Sequence, residues 1–270
     1  MKLIKPKVEI LDELDGQAIL ERIEQVARTC YKSEDKITKE SAQKLVKHLI
    51  ESKHEAMLEF FDITVKFTCS RSIAQEITRH RMSSFAMESQ RFCGYNKDKF
   101  GGEITFIIPS WLTLPEGQYK WEDQNPLLTA GMSIEEAGYD DSSDLWIKDD
   151  MRDGYVEYKR HYKDWMATER FMHSLQIAED SYLDLIRLGL RPQCAREVLP
   201  NATKTELNMK ANLREWRHFF ELRCSTAAHP DMRVLALDLL KQMHEKVPVI
   251  FDDLYEKFYG DKRSKTSTND

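Results

Sequence analysis

The sequence predicts an α+β fold, with a small, mixed, mainly antiparallel sheet and a helix-rich second half. Three observations carry this. Short segments that alternate apolar and polar residues concentrate before Pro109. Long segments with apolar residues at helical spacing dominate from Tyr155 onward. Regular strand–helix alternation is absent, and with only ten glycines there is neither a G-x-G-x-x-G fingerprint nor a P-loop. A Rossmann domain and a P-loop kinase are thereby disfavoured.

Taken in order, Lys2 to Leu11 reads as a strand, with Pro6 placing it near a sheet edge. Gln17 to Cys30 carries Ile19, Ile23, Val26 and Cys30 at helical spacing. Thr38 is expected to cap a second helix that runs to about Ser52 on Leu45, Val46 and Leu49. Phe61, Ile63, Val65 and Phe67 alternate with Asp62, Thr64, Lys66 and Thr68, the pattern of a half-buried strand. Ser70 can cap a helix from Arg71 to about His80, and Ile104 to Ile108 is a strand stopped by Pro109. Ser110 to Gly154 holds Pro115, Pro126 and the acidic run Asp140-Asp141-Ser142-Ser143-Asp144, and reads as a surface excursion partly ordered by Trp111, Trp121 and Trp146. A long helix follows from about Tyr155 to Leu188, closed by Gly189. Pro192 opens a shorter element that reaches Pro200. Thr205 to Arg223 is read as one helix, Asp231 to His244 as another and Val249 to Phe258 as a last. A single domain over 1–270 is expected, with the excursion at 110–154 and a disordered tail at 261–270.

Net charge is −6 and the pI is near 5.8. A protein that grips a nucleic-acid backbone usually shows a basic excess instead. The five cysteines (Cys30, Cys69, Cys93, Cys194 and Cys224) are scattered and never spaced C-x-x-C. That argues against a disulfide framework and a cysteine-rich zinc site, and suits a reducing cytoplasm. The first residues, MKLIKPKVEI, lack the apolar run of a signal peptide. No stretch approaches the ~20 apolar residues of a membrane span. The expectation is a cytoplasmic protein with no metal and with neither nucleic acid nor membrane as partner.

The densest chemical signal is Thr78 to Tyr95, TRHRMSSFAMESQRFCGY. It gathers Arg79, His80, Arg81 and Arg91 with Ser83, Ser84 and Ser89, and with little periodicity it reads mostly as loop. Guanidinium forks and hydroxyls on a loop suit a phosphate-bearing ligand. Composition alone leaves a solvated basic turn, paired with the many carboxylates, as an open alternative. The second signal is Leu190 to Ser225. On a helix over Thr205 to Arg223, Asn212 and Arg223 fall within about 20° of each other, near Trp216 and Phe219. Arg214 and His218 form an i,i+4 pair on another face. Such a helix, polar on several faces yet aromatic, fits a site or a subunit interface. His54-Glu55 fails as a zinc helix because Leu58 stands where H-E-x-x-H needs its second histidine.

These two segments resemble a known family. Arg79-His80-Arg81, seven further residues and then Ser89 reproduce the RHR-x7-S signature of the flavin-dependent thymidylate synthases, the ThyX family. Leu199-Pro200, the run Asn212 to Phe220 and Leu222-Arg223 are similar to its C-terminal signature. The resemblance extends from about Ala27 to about Ala236, with the 110–154 excursion aligning poorly.

The resemblance implies an α+β homotetramer with active sites shared between subunits. FAD is reduced by NADPH, methylenetetrahydrofolate donates a carbon, and dUMP is the acceptor. It implies FAD contacts at Arg79, His80, Arg81, Asn212, Arg214, His218 and Glu59, with His54 in the folate and NADPH vicinity. It implies dUMP contacts at Glu76, Arg79, Glu88, Ser89, Gln90, Arg91, Arg196 and Arg223. Arg223 matches the catalytic arginine that faces the uracil ring, where a fixed cation stabilises developing negative charge. Ser89 has no evident base beside it in sequence and is read as a substrate-binding residue, since an unassisted serine is a poor nucleophile. Glu76, Ala56, Ala86, Phe92, His218 and Cys30 depart from residues common in the family, which bears on the cofactor contacts there. Two other classes remain: a flavin-free nucleotide-phosphate hydrolase, which wants a carboxylate cluster for Mg²⁺, and a nucleic-acid-binding protein, whose binding would be salt-sensitive.

Overall fold

Two separate sheets divide the strands of this chain. The computed structural model describes residues 1–95, 102–119 and 153–260. Named in chain order among them, the elements are β1 (Lys2–Ile4), β2 (Lys7–Ile10), α1 (Gly16–Thr29), α2 (Ser41–Glu51), β3 (Asp62–Ser70), α3 (Arg71–Ile77), β4 (Ser83–Met87), β5 (Thr105–Ile107), β6 (Gly117–Gln118), α4 (Asp153–Arg187), α5 (Pro192–Ala195), β7 (Lys204–Asn212), α6 (Leu213–Arg223), α7 (Pro230–Lys246) and α8 (Pro248–Tyr259). The architecture is α+β, as expected. The chain splits into two units, Met1–Ile4 with Ser89–Thr203, and Lys5–Glu88 with Lys204–Asp270.

The larger unit is built on an antiparallel sheet of order β2-β3-β7-β4. Ile63, Val65, Phe67 and Cys69 of β3 and Leu207, Met209 and Ala211 of β7 are buried, while Lys66, Glu206 and Lys210 are not. The buried face packs into one core with Ile23 of α1, Val46 of α2, Trp216, Phe219 and Phe220 of α6, Leu239 of α7 and Phe251 of α8. Each such side chain contributes about 1.5–3 kcal/mol on burial. Asp15 caps α1, its Oδ1 accepting from Gln17 N at 3.0 Å and Ala18 N at 3.1 Å. Gly16 allows the close approach of α7, because an added Cβ would overlap the Lys246 carbonyl oxygen.

The smaller unit holds a sheet of order β5-β1-β6, with β1 parallel to β5 and antiparallel to β6. Leu3, Ile104, Phe106, Leu175 and Tyr182 form its core. Helix α4 ends on Gly189, at φ +91. There Gly189 N donates to Ile186 O and Leu190 N to Leu185 O, the paired bonds of a Schellman motif.

Several sequence expectations are corrected. The Thr205–Arg223 helix is a strand followed by a helix, since β7 runs to Asn212 and only Leu213–Arg223 is helical. Two ladders decide this: β7 pairs with β3 over nine residues and with β4 over five. Cross-strand pairing outweighs the helix propensity of Leu207, Met209 and Lys210. Asn212 and Arg223 therefore do not share a helix face. The strand expected over Lys2–Leu11 is two strands in different sheets, parted at Lys5-Pro6, where proline has no N–H to donate. The segment after Arg81 is not all loop, because β4 occupies Ser83–Met87. Ser70 does cap α3, accepting from Ile73 N at 3.4 Å, but that helix stops at Ile77 rather than His80. Thr38 caps nothing, and α2 begins after Glu40 without a side-chain cap. Of the 110–154 excursion, residues 120–152 lie outside the described residues, with Trp121 and Trp146, as does the 261–270 tail. Within the described part of it, β6 pairs with β1. No helix of the described residues is long and apolar enough to cross a membrane.

Candidate active site

The early end of α3 turns Arg79, His80 and Arg81 into the link between that helix and β4. Arg79 and Arg81 are exposed, whereas His80 is buried at 5% exposure. The other half of the site is the β7–α6 junction. Asn212 closes the strand and caps the helix, its Oδ1 accepting from Glu215 N at 2.8 Å. Trp216, Phe219 and Phe220 bury one face of α6, and Trp216 Nε1 donates to Ile63 O at 3.1 Å. That anchorage fixes the rotation of the helix and so the direction of every polar residue on it.

The His80 ring lies against Phe219, centroid to centroid 4.9 Å. One turn before Phe219, Glu215 Oε1 lies 3.1 Å from His80 Nδ1. One turn after it, Arg223 Nε donates to His80 Nε2 at 3.1 Å. Arginine can only donate, so Nε2 must be the acceptor and Nδ1 must carry the proton that is given to Glu215. The imidazole is therefore neutral. Burial lowers the His80 pKa below its ordinary value of 6.5; the Glu215 hydrogen bond opposes this and the nearby Arg223 charge adds to it. Arg223 is held twice more by Glu76: Nη1 donates to the carboxylate and Nη2 to the backbone carbonyl, both at 3.1 Å. Three of its five N–H groups are thus spent on positioning.

A cleft of about 510 Å³ opens at the start of α6, lined by Glu59, Asn212, Arg214 and His218 together with Lys53, Glu55, Met82, Glu215, Arg217 and Glu221. Its size falls in the range of small-molecule sites. Arg214 bridges to Glu59 at 2.6 Å across it. Arg217 is not available to a ligand in the same way. It is buried, grips Asp253 through two bonds of 2.8 and 2.7 Å, and also donates to Glu55 and to the Ile250 carbonyl. Burial works against its charge, but the Asp253 and Glu55 partners outweigh it and its pKa is raised.

Glu88, just past β4, accepts from Lys204 Nζ at 3.0 Å. Burial works against the Lys204 charge, but hydrogen bonds to Glu206 and Glu88 prevail and raise its pKa. The second Glu88 oxygen is buried without a hydrogen-bond partner among the described residues. Such an acceptor costs free energy unless an N–H or O–H reaches it. In the smaller unit, Ser89 Oγ accepts from Arg91 N at 3.4 Å, and the Arg91 guanidinium sits 5.4 Å from the Phe92 ring centroid. Gln90 is buried and Arg196 half-buried.

The thymidylate synthase complementing protein family matches residues 11–249. The chain belongs to that family, the flavin-dependent thymidylate synthases. It is 29% identical over 237 residues to the flavin-dependent thymidylate synthase of Corynebacterium aurimucosum, covering 86% of this chain and 79% of that protein. It is 30% identical over 251 residues to the one from Mycolicibacterium vanbaalenii, covering 92% and 84%. In fold it is similar to the crystal structure of the UMP/dUMP methylase PolB from Streptomyces cacaoi bound with 5-Br dUMP, with a TM-score of 0.63 over 96% of this chain and 98% of that one, at 19% identity.

Among the residues singled out by resemblance to the flavin-dependent thymidylate synthases, Glu59, Asn212, Arg214 and His218 come together in the first cleft. Glu76, His80 and Arg223 form the second cluster. His54 lines a different cleft of about 540 Å³, with Arg28, Tyr31 and Ala56. Ser89, Gln90, Arg91 and Arg196 belong to the smaller unit. The carboxylates that a Mg²⁺-dependent hydrolase would need are engaged with cations instead: Glu76 with Arg223, Glu88 with Lys204 and Glu55 with Arg217. Sequence reasoning missed Glu215 and Lys204. Asn212-x-x-Glu215 was the available signal, since it has the spacing of a helix start.

Proposed function

We propose that this chain is a flavin-dependent thymidylate synthase. It carries out the reductive methylation of dUMP to dTMP, with 5,10-methylenetetrahydrofolate as carbon donor and NADPH-reduced FAD as hydride source. The observation that carries the reading is Arg223, a cation fixed by three hydrogen bonds at the end of the family's C-terminal signature. A guanidinium held this way has two N–H groups left for a substrate and needs no reorganisation when charge develops on a uracil ring.

The donor set of the first cleft fits a dinucleotide. Arg214 offers positive charge, Arg214 and His218 both offer N–H donors for a diphosphate, and Glu59 offers an acceptor for hydroxyls. Asn212, Arg79 and Arg81 complete the proposed FAD set, which His80 borders without offering a ring hydrogen bond, since Glu215 and Arg223 take both its nitrogens, and His54 completes the folate and NADPH vicinity. Bound FAD supplies the hydride that completes the methyl group. For dUMP, Arg91 and Arg196 suit the phosphate, Ser89 and Gln90 orient it, and Arg79 flanks it. Glu88 presents its unpaired buried oxygen to a ligand N–H or O–H, and Glu76 holds Arg223. The enzyme is proposed to be a cytoplasmic homotetramer with active sites shared between subunits.

The test is the visible spectrum of the purified chain after FAD is added and the excess removed. Flavin bands that bleach with NADPH, more readily with dUMP present, followed by dTMP formation, are the expected outcome. A chain that retains no FAD and makes no dTMP overturns the reading.

A further inference from the structure

Arg223 is an arginine whose direction is set by others. Its Nε bond goes to a histidine that has no freedom left, because Phe219 packs against the ring and Glu215 takes the Nδ1 proton. We propose that Glu215 and His80 are positioning residues for Arg223: the Glu215 carboxylate holds His80 in its Nδ1–H tautomer, so that Nε2 offers a lone pair to the guanidinium. The inference rests on the reading of Arg223 as the uracil-facing cation.

The geometry requires this division of labour. Glu215 and Arg223 are eight residues apart on α6, about 12 Å along the axis. No direct bond can join them at that span, and the imidazole bridges it with one nitrogen to each. Without an acceptor at Glu215, the neutral ring is free to place its proton on Nε2, where it would face the Nε–H of Arg223. The hydrogen bond then becomes a donor–donor clash, and the guanidinium must turn.

His80, Glu215 and His218 also bring ligand-type atoms within 4.8 Å of one another. A divalent cation there would have to displace the Nδ1 proton, forcing it to Nε2 against Arg223, and would add two charges beside a fixed guanidinium. The same bonds that make His80 a good anchor therefore make it a poor ligand.

The inference is tested in the FAD-loaded full chain with Glu215→Met and Glu215→Gln. Methionine and glutamine match glutamate in length and are good helix formers, so they differ chiefly in the acceptor. Glu215→Met is expected to lower kcat for dTMP formation, counted per bound FAD because Glu215 also lines the first cleft, by about 10- to 100-fold, the scale of a misplaced catalytic group. Glu215→Gln keeps an oxygen that accepts from Nδ1–H and should stay well above the methionine variant in kcat. Wild-type turnover in the methionine variant overturns the inference, as does a glutamine variant that falls as far as methionine. Should Glu215→Met not fold, Glu215→Ala takes its place. Independently, ¹⁵N shifts of the His80 ring should report a protonated Nδ1 and a bare Nε2 in the wild type and a shifted balance in Glu215→Met. A wild-type chain that binds FAD yet makes no dTMP overturns the functional reading alone, and the ring shifts then decide this one.

Discussion

Arg223→Ala removes one side chain and disturbs two properties that can be measured separately. The first is activity. The substitution deletes the two N–H groups left for substrate and the positive charge that carries them. Loss of one such preorganised donor costs about 10²–10³ in kcat, so dTMP formation should nearly vanish. FAD should stay bound, because the cleft lined by Asn212, Arg214 and His218 does not include Arg223. The second property is stability. His80 Nε2 is left as a buried acceptor without a donor, at 5% residue exposure. That costs about 1–3 kcal/mol. The Glu76 carboxylate, 35% exposed, is taken over by water and adds little. For a chain of this size the melting temperature should drop by roughly 2–10 °C. Flavin absorbance, dTMP chromatography and a thermal melt read the three quantities on one preparation. Full turnover in the variant would sink the role given to Arg223. An unchanged melting temperature would refute the hydrogen-bond reasoning.

Three further outcomes are expected. Arg217→Met should destabilise the fold by about 3 kcal/mol, the low end for breaking a buried ion pair, because Asp253 is half exposed and can be rehydrated; an unchanged denaturation midpoint would show that the arginine is dispensable. Arg91→Ala should weaken dUMP binding by about 10- to 100-fold, the loss of a charge-assisted bond to phosphate, with FAD retained; equal affinity in an equilibrium titration would mean that the guanidinium faces solvent. The depressed pKa of His80 also has a sign. The unfolded chain takes up a proton near pH 6.5 while the folded chain resists it, so the contribution is whole above that pH and is lost on acidification. The fall in melting temperature from roughly pH 7.5 to 5.5 should be smaller in His80→Gln; identical slopes would place the titration elsewhere.

Much of the fold was legible along the chain because local physics wrote it there. Alternation at Phe61–Thr68 marked β3, Ser70 marked the start of α3, and Gly189 marked the end of α4, each through a preference that acts within a few residues. The failure at Thr205–Arg223 has the opposite cause. Thr205, Leu207, Met209 and Ala211 alternate as a strand should, yet helix-forming residues lie among them, and only the partners β3 and β4 resolve the conflict. The residue types that mark the family, Arg79-His80-Arg81, Ser89 and the run from Asn212 to Arg223, were determined by sequence alone, because a signature is a statement about order.

Tertiary structure decided what those residues touch. Neither spacing nor composition tells that Arg217 is buried and clamped to Asp253 while Arg214, three residues earlier, is exposed on the cleft that both line. The rotation of α6, set by where Trp216, Phe219 and Phe220 find apolar neighbours, separates the two. His80 and Arg223 lie 143 residues apart, and Glu215 and His80 lie 135 apart. Their bonds exist because α3 stops at Ile77 and β7 stops at Asn212, which brings the turn and the helix face together. Hydrogen bonds between such distant residues depend on the packing of the whole sheet, and no local preference encodes them.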